Sequence, residues 1–345
     1  MSRRISGFKP TGPLHLGNYV GAIRPIVEEQ HTHESIAFIA DLHALTVPHD
    51  PARLRALTLQ VAGLLLASGV DPDATTLYVQ SHVDAHAGLH YLLECVAAYG
   101  EAHRMIQFKE KGGAGGTRLS LLTYPVLMAA DILLHDIDAV PVGADQGQHL
   151  ELTRDIATRF NARYAETFVV PRAVHPTVAA RLADLAEPTA KMGKTSASTA
   201  GVLFLLDPPN VVRRKVMRAV TDNEAEVRYD PEAKPGVSNL LEILAGCTGA
   251  RPADLASGFH GYGELKESVA DAVVGMLTPI QCRYAEVISD PGYVPGVLAR
   301  GAYLARGRAE ATVRRARDAI GLAPAGRGPA QAGSAAPVRY RREET

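Results

Sequence analysis

Two short donor-rich stretches stand far apart in the chain, His15-Leu16-Gly17-Asn18 and Lys191-Met192-Gly193-Lys194-Thr195. The first lies in a segment from Ile5 to Gly21 whose Gly and Pro residues force a loop after a short strand, Arg3 to Gly7. A helix is expected to begin near Leu16 to Asn18. Its first N–H groups lack intrahelical partners and carry partial positive charge, so phosphate is welcome there, with the His15 imidazole and Asn18 amide as further donors. No G-x-x-x-x-G-K-[ST] run is present, so this is not a Walker loop. Lys191 and Lys194 are flanked by small or polar residues (Thr189, Ala190, Gly193, Thr195, Ser196, Ser198, Thr199), which predicts a mobile loop rather than core. Two ammonium groups closing over a pyrophosphate neutralise charge that develops as the α–β phosphate bond breaks, most strongly where water is excluded. Taken singly, the stretches also fit a strand-to-helix turn with a surface His and a solvated lysine loop. Together they suit the triphosphate of ATP and the activation of a carboxylic acid.

A third feature is Asp131, inside the apolar run Leu127-Met128-Ala129-Ala130-Asp131-Ile132-Leu133-Leu134 with no neighbouring cation in sequence. Burying a carboxylate without a donor costs several kcal/mol or shifts its pKa strongly, so something is expected to bond to it. A structural partner from a loop backbone is one possibility. A ligand N–H or O–H is the sharper one, since a site built round a buried acceptor rejects analogues lacking the donor by ~10⁴ or more. Met128 and, across the strand, Val140 and Val142 suit a flat aromatic ligand.

The elements that must position these residues alternate in the first half between short apolar strands and amphipathic helices, the pattern of a parallel sheet covered on both faces. Ile36 to Ala40 reads as a buried strand ending at Asp41 and His43. Asp50 then caps a helix with Pro51 in its first turn and Leu54, Leu57, Val61, Leu64 and Leu65 as its inner stripe. Thr75 to Gln80 is the next strand. A helical stretch follows from about Ala87 to Lys111, ended by the glycine run of residues 112–116, with Lys109 and Lys111 on its border. Tyr124-Pro125 is expected to start a helix from Val126 to His135, and Ile137 to Val142 a strand opening into the loop of residues 143–149. Ligands of open α/β sheets sit at the carboxyl ends of strands, so this loop and the Gly7 to Asn18 loop are natural places for a nucleotide. From about Asn161 the strand signal fades, and helical segments dominate from Pro208 to Ala319. Residues 1–188 are expected to form a Rossmann-type catalytic domain, 189–320 the lysine loop with a C-terminal α-helical domain, and 321–345, rich in Ala, Pro, Gly, Ser and Gln, a disordered tail.

At 345 residues the chain holds a sizeable core, and its 46% hydrophobic and 21% charged residues describe an ordinary globular protein. A formal net charge of -1 gives no global hint of nucleic acid, DNA included, so an RNA partner must be argued from local patches. Cys95, Cys247 and Cys282 are few and widely separated, with no C-x-x-C pair, and no metal-ligating set is expected; a reducing cytosol fits best. No apolar signal core follows Arg3 and Arg4, and the longest apolar stretch, Val61 to Val70, is far below the ~20 residues needed to cross a bilayer. A cytoplasmic protein without membrane contact is expected.

On these residues the chain resembles bacterial tryptophanyl-tRNA synthetases, members of the class I aminoacyl-tRNA synthetases. The matching segments are Ser6-Gly7-Phe8-Lys9-Pro10-Thr11-Gly12 with His15 to Ala22; Gln107-Phe108-Lys109-Glu110-Lys111; Leu122-Thr123-Tyr124-Pro125 through Ala129-Ala130-Asp131-Ile132-Leu133; and Val140 to Gln146 through Leu152-Thr153-Arg154-Asp155. Ala219 to Asp222, Tyr229-Asp230 and Lys234 to Leu240 also match, so the resemblance runs from about Arg3 to Ile320. It implies an ATP-binding Rossmann-type domain, a helical anticodon-recognising domain, Mg²⁺ dependence and a homodimer. Carried over by motif, Asp131 accepts the indole N–H of L-tryptophan, Tyr124 and Gln146 hold its amino group, and His43 and Gly7 line the pocket with Met128, Val140 and Val142. Asp145 beside Gly143 holds the ATP ribose, and backbone near Gly17, Leu182 and Met192 holds adenosine. Lys9 and Thr11 complete the nucleotide set, and His15, Asn18, Lys111, Lys191 and Lys194 serve the phosphates. The implied reaction forms tryptophanyl-adenylate and then charges the terminal adenosine of tRNA(Trp), to whose phosphates Arg213, Arg214, Lys215 and Arg218 offer a basic cluster, if they are not simply a solvated helix face. The chain departs from the family pattern at Ile5, where an aromatic is common, at Lys9, where a Gln is common, and at Gly193 and Thr195, which replace serines. These departures point to an auxiliary or analogue-resistant copy. A tyrosyl-tRNA synthetase and a non-catalytic regulatory or RNA-binding paralogue are the competing readings.

Overall fold

A computed structural model describes residues 2–105, 108, 117–141, 147–174, 182–193 and 199–323. Strands β1 (Arg3–Phe8), β2 (Glu34–Ile39), β3 (Thr75–Val79), β4 (Ala139–Pro141) and β5 (Arg172–Val174) form a parallel sheet in the order β3-β2-β1-β4-β5. Strand order reverses at β1, so a crevice opens beyond the carboxyl ends of β1 and β4, where ligands of such sheets bind. The α/β class expected from the alternating pattern is the one observed.

Neighbouring residues of each strand point to opposite faces, and both faces are apolar because both are covered. Ala37, Ile39, Leu77 and Val79 pack on one side with Val61, Leu64 and Leu65 of the Pro51–Ala67 helix. That helix is capped as expected: Asp50 accepts the Arg53 N–H at 2.7 Å, and Pro51 takes a first-turn position that needs no donor. Ile36, Phe38 and Tyr78 pack on the other side with Leu89 and Leu93 of the Ala85–Glu94 helix and with Val126, Ala129 and Ala130 of the Leu119–Leu133 helix.

Three expectations are corrected. The helical stretch begun near Ala87 is broken after Glu94 and restarts at Tyr99–His103. Glu101 caps the restart by accepting the Ala98 N–H at 2.9 Å, and Arg159 pins the break by donating to Val96 O and to Glu101. The helix carrying Asp131 begins at Leu119 rather than Val126, with Pro125 inside it. Proline there forfeits one backbone bond near the start, and burial of the apolar face that follows outweighs that loss. Strand β5 lies beyond Asn161, paired on β4 at the sheet edge, too short and too polar to register as a strand in sequence.

The C-terminal part consists of helices Pro209–Met217, Pro235–Thr248, Pro252–Ala256, Tyr262–Ser289 and Tyr293–Ile320. The last one crosses back over the catalytic sheet. Val294 and Leu298 join the first core, whereas Ala302, Ala305, Ala309 and Ala316 join the second, so the helix covers the exposed edge at β3. Gly301 sits at the crossing, where an added Cβ would lie 1.8 Å from Leu77 O. Gly301→Ala is therefore expected to cost about 3 kcal/mol in urea unfolding; an unshifted midpoint would show that the helix does not press on β3.

Candidate active site

The first donor-rich stretch pairs through its backbone with residues 203–205, downstream of the second. Leu16 N–H donates to Leu203 O at 2.8 Å, Leu205 N–H donates to Leu14 O at 3.0 Å, and His15 bridges Phe204. The segment following the Lys191 region is thus laid against the His15 loop. His15 is buried at the start of the Leu16–Asn18 helical turn, and Asn18 Oδ1 accepts its N–H at 3.1 Å. A backbone N–H demands an oxygen, so the Asn18 amide is oriented with Nδ2 as its outward donor. Gly17 is tightly placed: a Cβ there would press on the His15 imidazole at 3.2 Å and reach Leu182 Cβ at 4.0 Å.

Leu182 belongs to a hairpin in which Met192 N–H donates to Leu182 O at 3.0 Å and Asp184 N–H to Ala190 O at 2.9 Å. Asn239, on the Pro235–Thr248 helix, grips its base, accepting Ala183 N–H at 2.8 Å and donating to Ala183 O at 3.0 Å. Met192 is buried, and Lys191 is exposed beside it. Of the expected nucleotide residues, His15, Gly17, Asn18, Leu182, Met192 and Lys191 are therefore gathered in one region, while Thr11 is an exposed bend residue. Lys111, Gly143, Asp145 and Lys194 lie outside the described residues, as do Val142 and Gln146 of the substrate set.

The substrate set gathers around Asp131, which is 2% exposed. Its Oδ2 accepts from His43 Nε2 at 2.8 Å; its Oδ1 accepts from Gln80 Nε2 and His86 Nδ1, both at 2.7 Å. Burial pushes the Asp131 carboxyl up, but the bonds and charges of His43 and His86 overcome it and hold the group well below the ordinary carboxylate range. Tyr124 meets His43 edge to face with centroids 6.3 Å apart, its hydroxyl is 2.5 Å from His149 Nε2, and Lys9 Nζ stands 5.9 Å from its ring centroid. Val140 is buried and Met128 half-buried. Gly7 has a packing reason of its own, because a Cβ there would lie 2.7 Å from Phe38 Cζ.

Gln80, His86, Tyr78, His135 and His149 join the site only through the folded structure. Gln80 carried a signal, a polar residue placed at the carboxyl end of an apolar strand; the histidines carried none beyond their burial among apolar neighbours. Two members of the basic cluster have acidic partners. Lys215 is committed to Asp207 and Val202 O, both at 2.7 Å, and Arg213 pairs with Asp271 at 2.5 Å.

A doubly covered parallel sheet with a donor-lined loop at its reversal point is the arrangement in which α/β proteins bind nucleotides. The chain belongs to the tRNA synthetases class I (W and Y), whose family model matches residues 2–278. A protein named tryptophan–tRNA ligase 1 from Streptomyces coelicolor is 58% identical over 330 residues, covering 94% of this chain and 98% of that one. The crystal structure of tryptophanyl-tRNA synthetase from Mycoplasma pneumoniae superposes with a TM-score of 0.88 at 36% identity, over 94% of this chain and 98% of its own. The Campylobacter jejuni enzyme, solved with ADP and tryptophan, gives 0.77 at 31% identity, over 93% of this chain and 100% of its own.

Behind Asp131, burial and the neighbouring His86 push His135 down to about 3, from an ordinary 6.5. The unfolded chain therefore binds a proton below pH 6.5 that the folded chain refuses, so stability is retained above that pH and lost as pH falls toward 3. The loss amounts to about 2 kcal/mol between pH 7 and 5. Urea titrations of wild type and His135→Gln at both pH values should show a shallower fall in the variant, and equal falls would contradict a buried neutral His135.

Proposed function

We infer that the chain is an enzyme that activates L-tryptophan with ATP to tryptophanyl-adenylate and transfers the acyl group to the 3′ end of tRNA(Trp). The observation that carries this is the identity of 58% with a tryptophan–tRNA ligase over 94% of the chain. The gathered residues support it by chemistry. A tryptophan carboxylate oxygen attacks the α-phosphorus, the bond to the bridging oxygen breaks, and pyrophosphate leaves. The carboxylate is already the nucleophile, so no general base is needed. The terminal ribose 2′-hydroxyl then takes the acyl group and releases AMP.

In this scheme Asp131 accepts the indole N–H, with His43, Tyr124, Met128, Val140, Val142, Gly7 and Gln146 around the amino acid. Lys9, Thr11, Gly17, Gly143, Asp145, Leu182 and Met192 hold the nucleotide, and His15, Asn18, Lys111, Lys191 and Lys194 neutralise its phosphates. Mg²⁺ supplies further charge neutralisation on the phosphate oxygens. Among the described residues no group of three or more His, Cys, Asp or Glu side chains is placed to hold a metal ion. Residues 1–188 serve as the catalytic domain and 189–320 as the lysine loop with the anticodon-recognising helices, although the final helix packs on the sheet. The enzyme works as a homodimer in the cytoplasm; among the described residues no helix is long and apolar enough to cross a membrane.

Pyrophosphate exchange into ATP tests the assignment. Tryptophan is expected to support it, tyrosine to fail, and Asp131→Asn to lower kcat/KM for tryptophan by about 10²-fold; exchange with tyrosine alone would overturn the substrate. Lys9, 5.9 Å from the Tyr124 ring centroid, adds positive charge beside the amino acid. Lys9→Gln is expected to raise sensitivity to an indole-based inhibitor, and unchanged inhibition would remove Lys9 from any role in analogue resistance.

A further inference from the structure

The contacts behind Asp131 form an unbranched series. His86 Nε2 lies 3.0 Å from the Tyr78 hydroxyl, which lies 2.8 Å from His135 Nε2. Tyr78 is fully buried, with the Phe38 ring stacked on it at 5.9 Å, so none of these groups can turn toward water. The direction of the bonds follows from the far end. His135 Nδ1 is buried and has no hydrogen-bond partner among the described residues. An unmet N–H is costlier there than an unmet lone pair, so His135 carries its proton on Nε2 and donates to Tyr78. The single Tyr78 hydroxyl proton is then donated to His86 Nε2. His86 in turn carries its proton on Nδ1, which it donates to Asp131 Oδ1. Burial together with the Asp131 charge raises the Tyr78 hydroxyl well above its ordinary range, which keeps that proton in place.

An ionised carboxylate offers about four acceptor directions, two on each oxygen. Gln80 and His86 take both on Oδ1, and His43 takes one on Oδ2. We propose that Gln80, His86, Tyr78 and His135 are positioning residues that fill Oδ1 and fix the carboxylate plane, so that Asp131 accepts one substrate N–H, on Oδ2 beside His43. This rests on the reading of Asp131 as the indole acceptor and adds which oxygen is used, what fixes it, and why a ring with one N–H is the fitting partner. Every group in the series is buried behind Asp131, so its effect falls on choice of amino acid rather than on the chemical step.

The test compares kcat/KM in pyrophosphate exchange for tryptophan and for the benzothiophene isostere, in which sulfur replaces the ring N–H. The variants are Tyr78→Phe, Gln80→Met and Asp131→Asn in the full chain, with folding followed by urea unfolding. The wild type should prefer tryptophan strongly. Tyr78→Phe and Gln80→Met should each narrow that preference about tenfold, through a raised KM for tryptophan with the isostere's constants little changed. A merely structural role would slow both substrates alike. If either variant fails to fold, the other still decides. A full preference in a folded Tyr78→Phe or Gln80→Met, alongside its loss in Asp131→Asn, overturns the proposal alone. A full preference in Asp131→Asn overturns the substrate reading and the proposal with it.

Discussion

An ionised carboxylate buried in an apolar helix face is the constraint round which the amino-acid side of this molecule is organised. Charge removed from water is tolerated only when its lone pairs are met, and removal of one partner leaves the others exposed to the full desolvation cost. Asp131 is met by three side chains drawn from three different elements: His43 after β2, Gln80 after β3 and His86 in the following helix. Each lies near the carboxyl end of a strand or just beyond it, so the sheet must be in register before the charge is satisfied. If Asp131 is the indole acceptor proposed above, folding and recognition of a donor-bearing ring are tied to the same few contacts.

The nucleotide side is organised differently, by backbone. The pairing of residues 14–16 with 203–205 places the stretch after the Lys191 region alongside the first loop, and Asn239 fastens the hairpin from the helical part. The last helix adds a second tie by running from the C-terminal core across the β3 edge into the core on the other sheet face. Two of the ties between the catalytic sheet and the helical part therefore lie beside the His15 loop and at the sheet edge, and Arg283 adds another by donating to Ala67 O at 2.6 Å.

Much of this was legible in the residues. The strand-to-helix turn at His15, the Asp50 cap and the anomaly of Asp131 follow from local rules that need no distant partner. The partners of Asp131 were hidden because they lie in other elements, brought to it only by the sheet. β5 escaped because its three residues, two of them exposed, gain their strand geometry from β4 rather than from any alternation of their own. The start of the helix containing Pro125 is masked in sequence because proline locally signals a first turn, whereas burial of the apolar run around it carries the helix back to Leu119. Tyr78 and His135 read as ordinary core, since hydrogen bonds among buried rings have no sequence period.

The most direct measurement is a crystal structure of the enzyme with tryptophan and a non-hydrolysable ATP analogue. The account predicts the indole nitrogen within hydrogen-bond distance of Asp131 Oδ2, next to His43, with Oδ1 still held by Gln80 and His86. An indole ring bound away from Asp131, or a carboxylate rotated so that Oδ1 meets the ring, would contradict it.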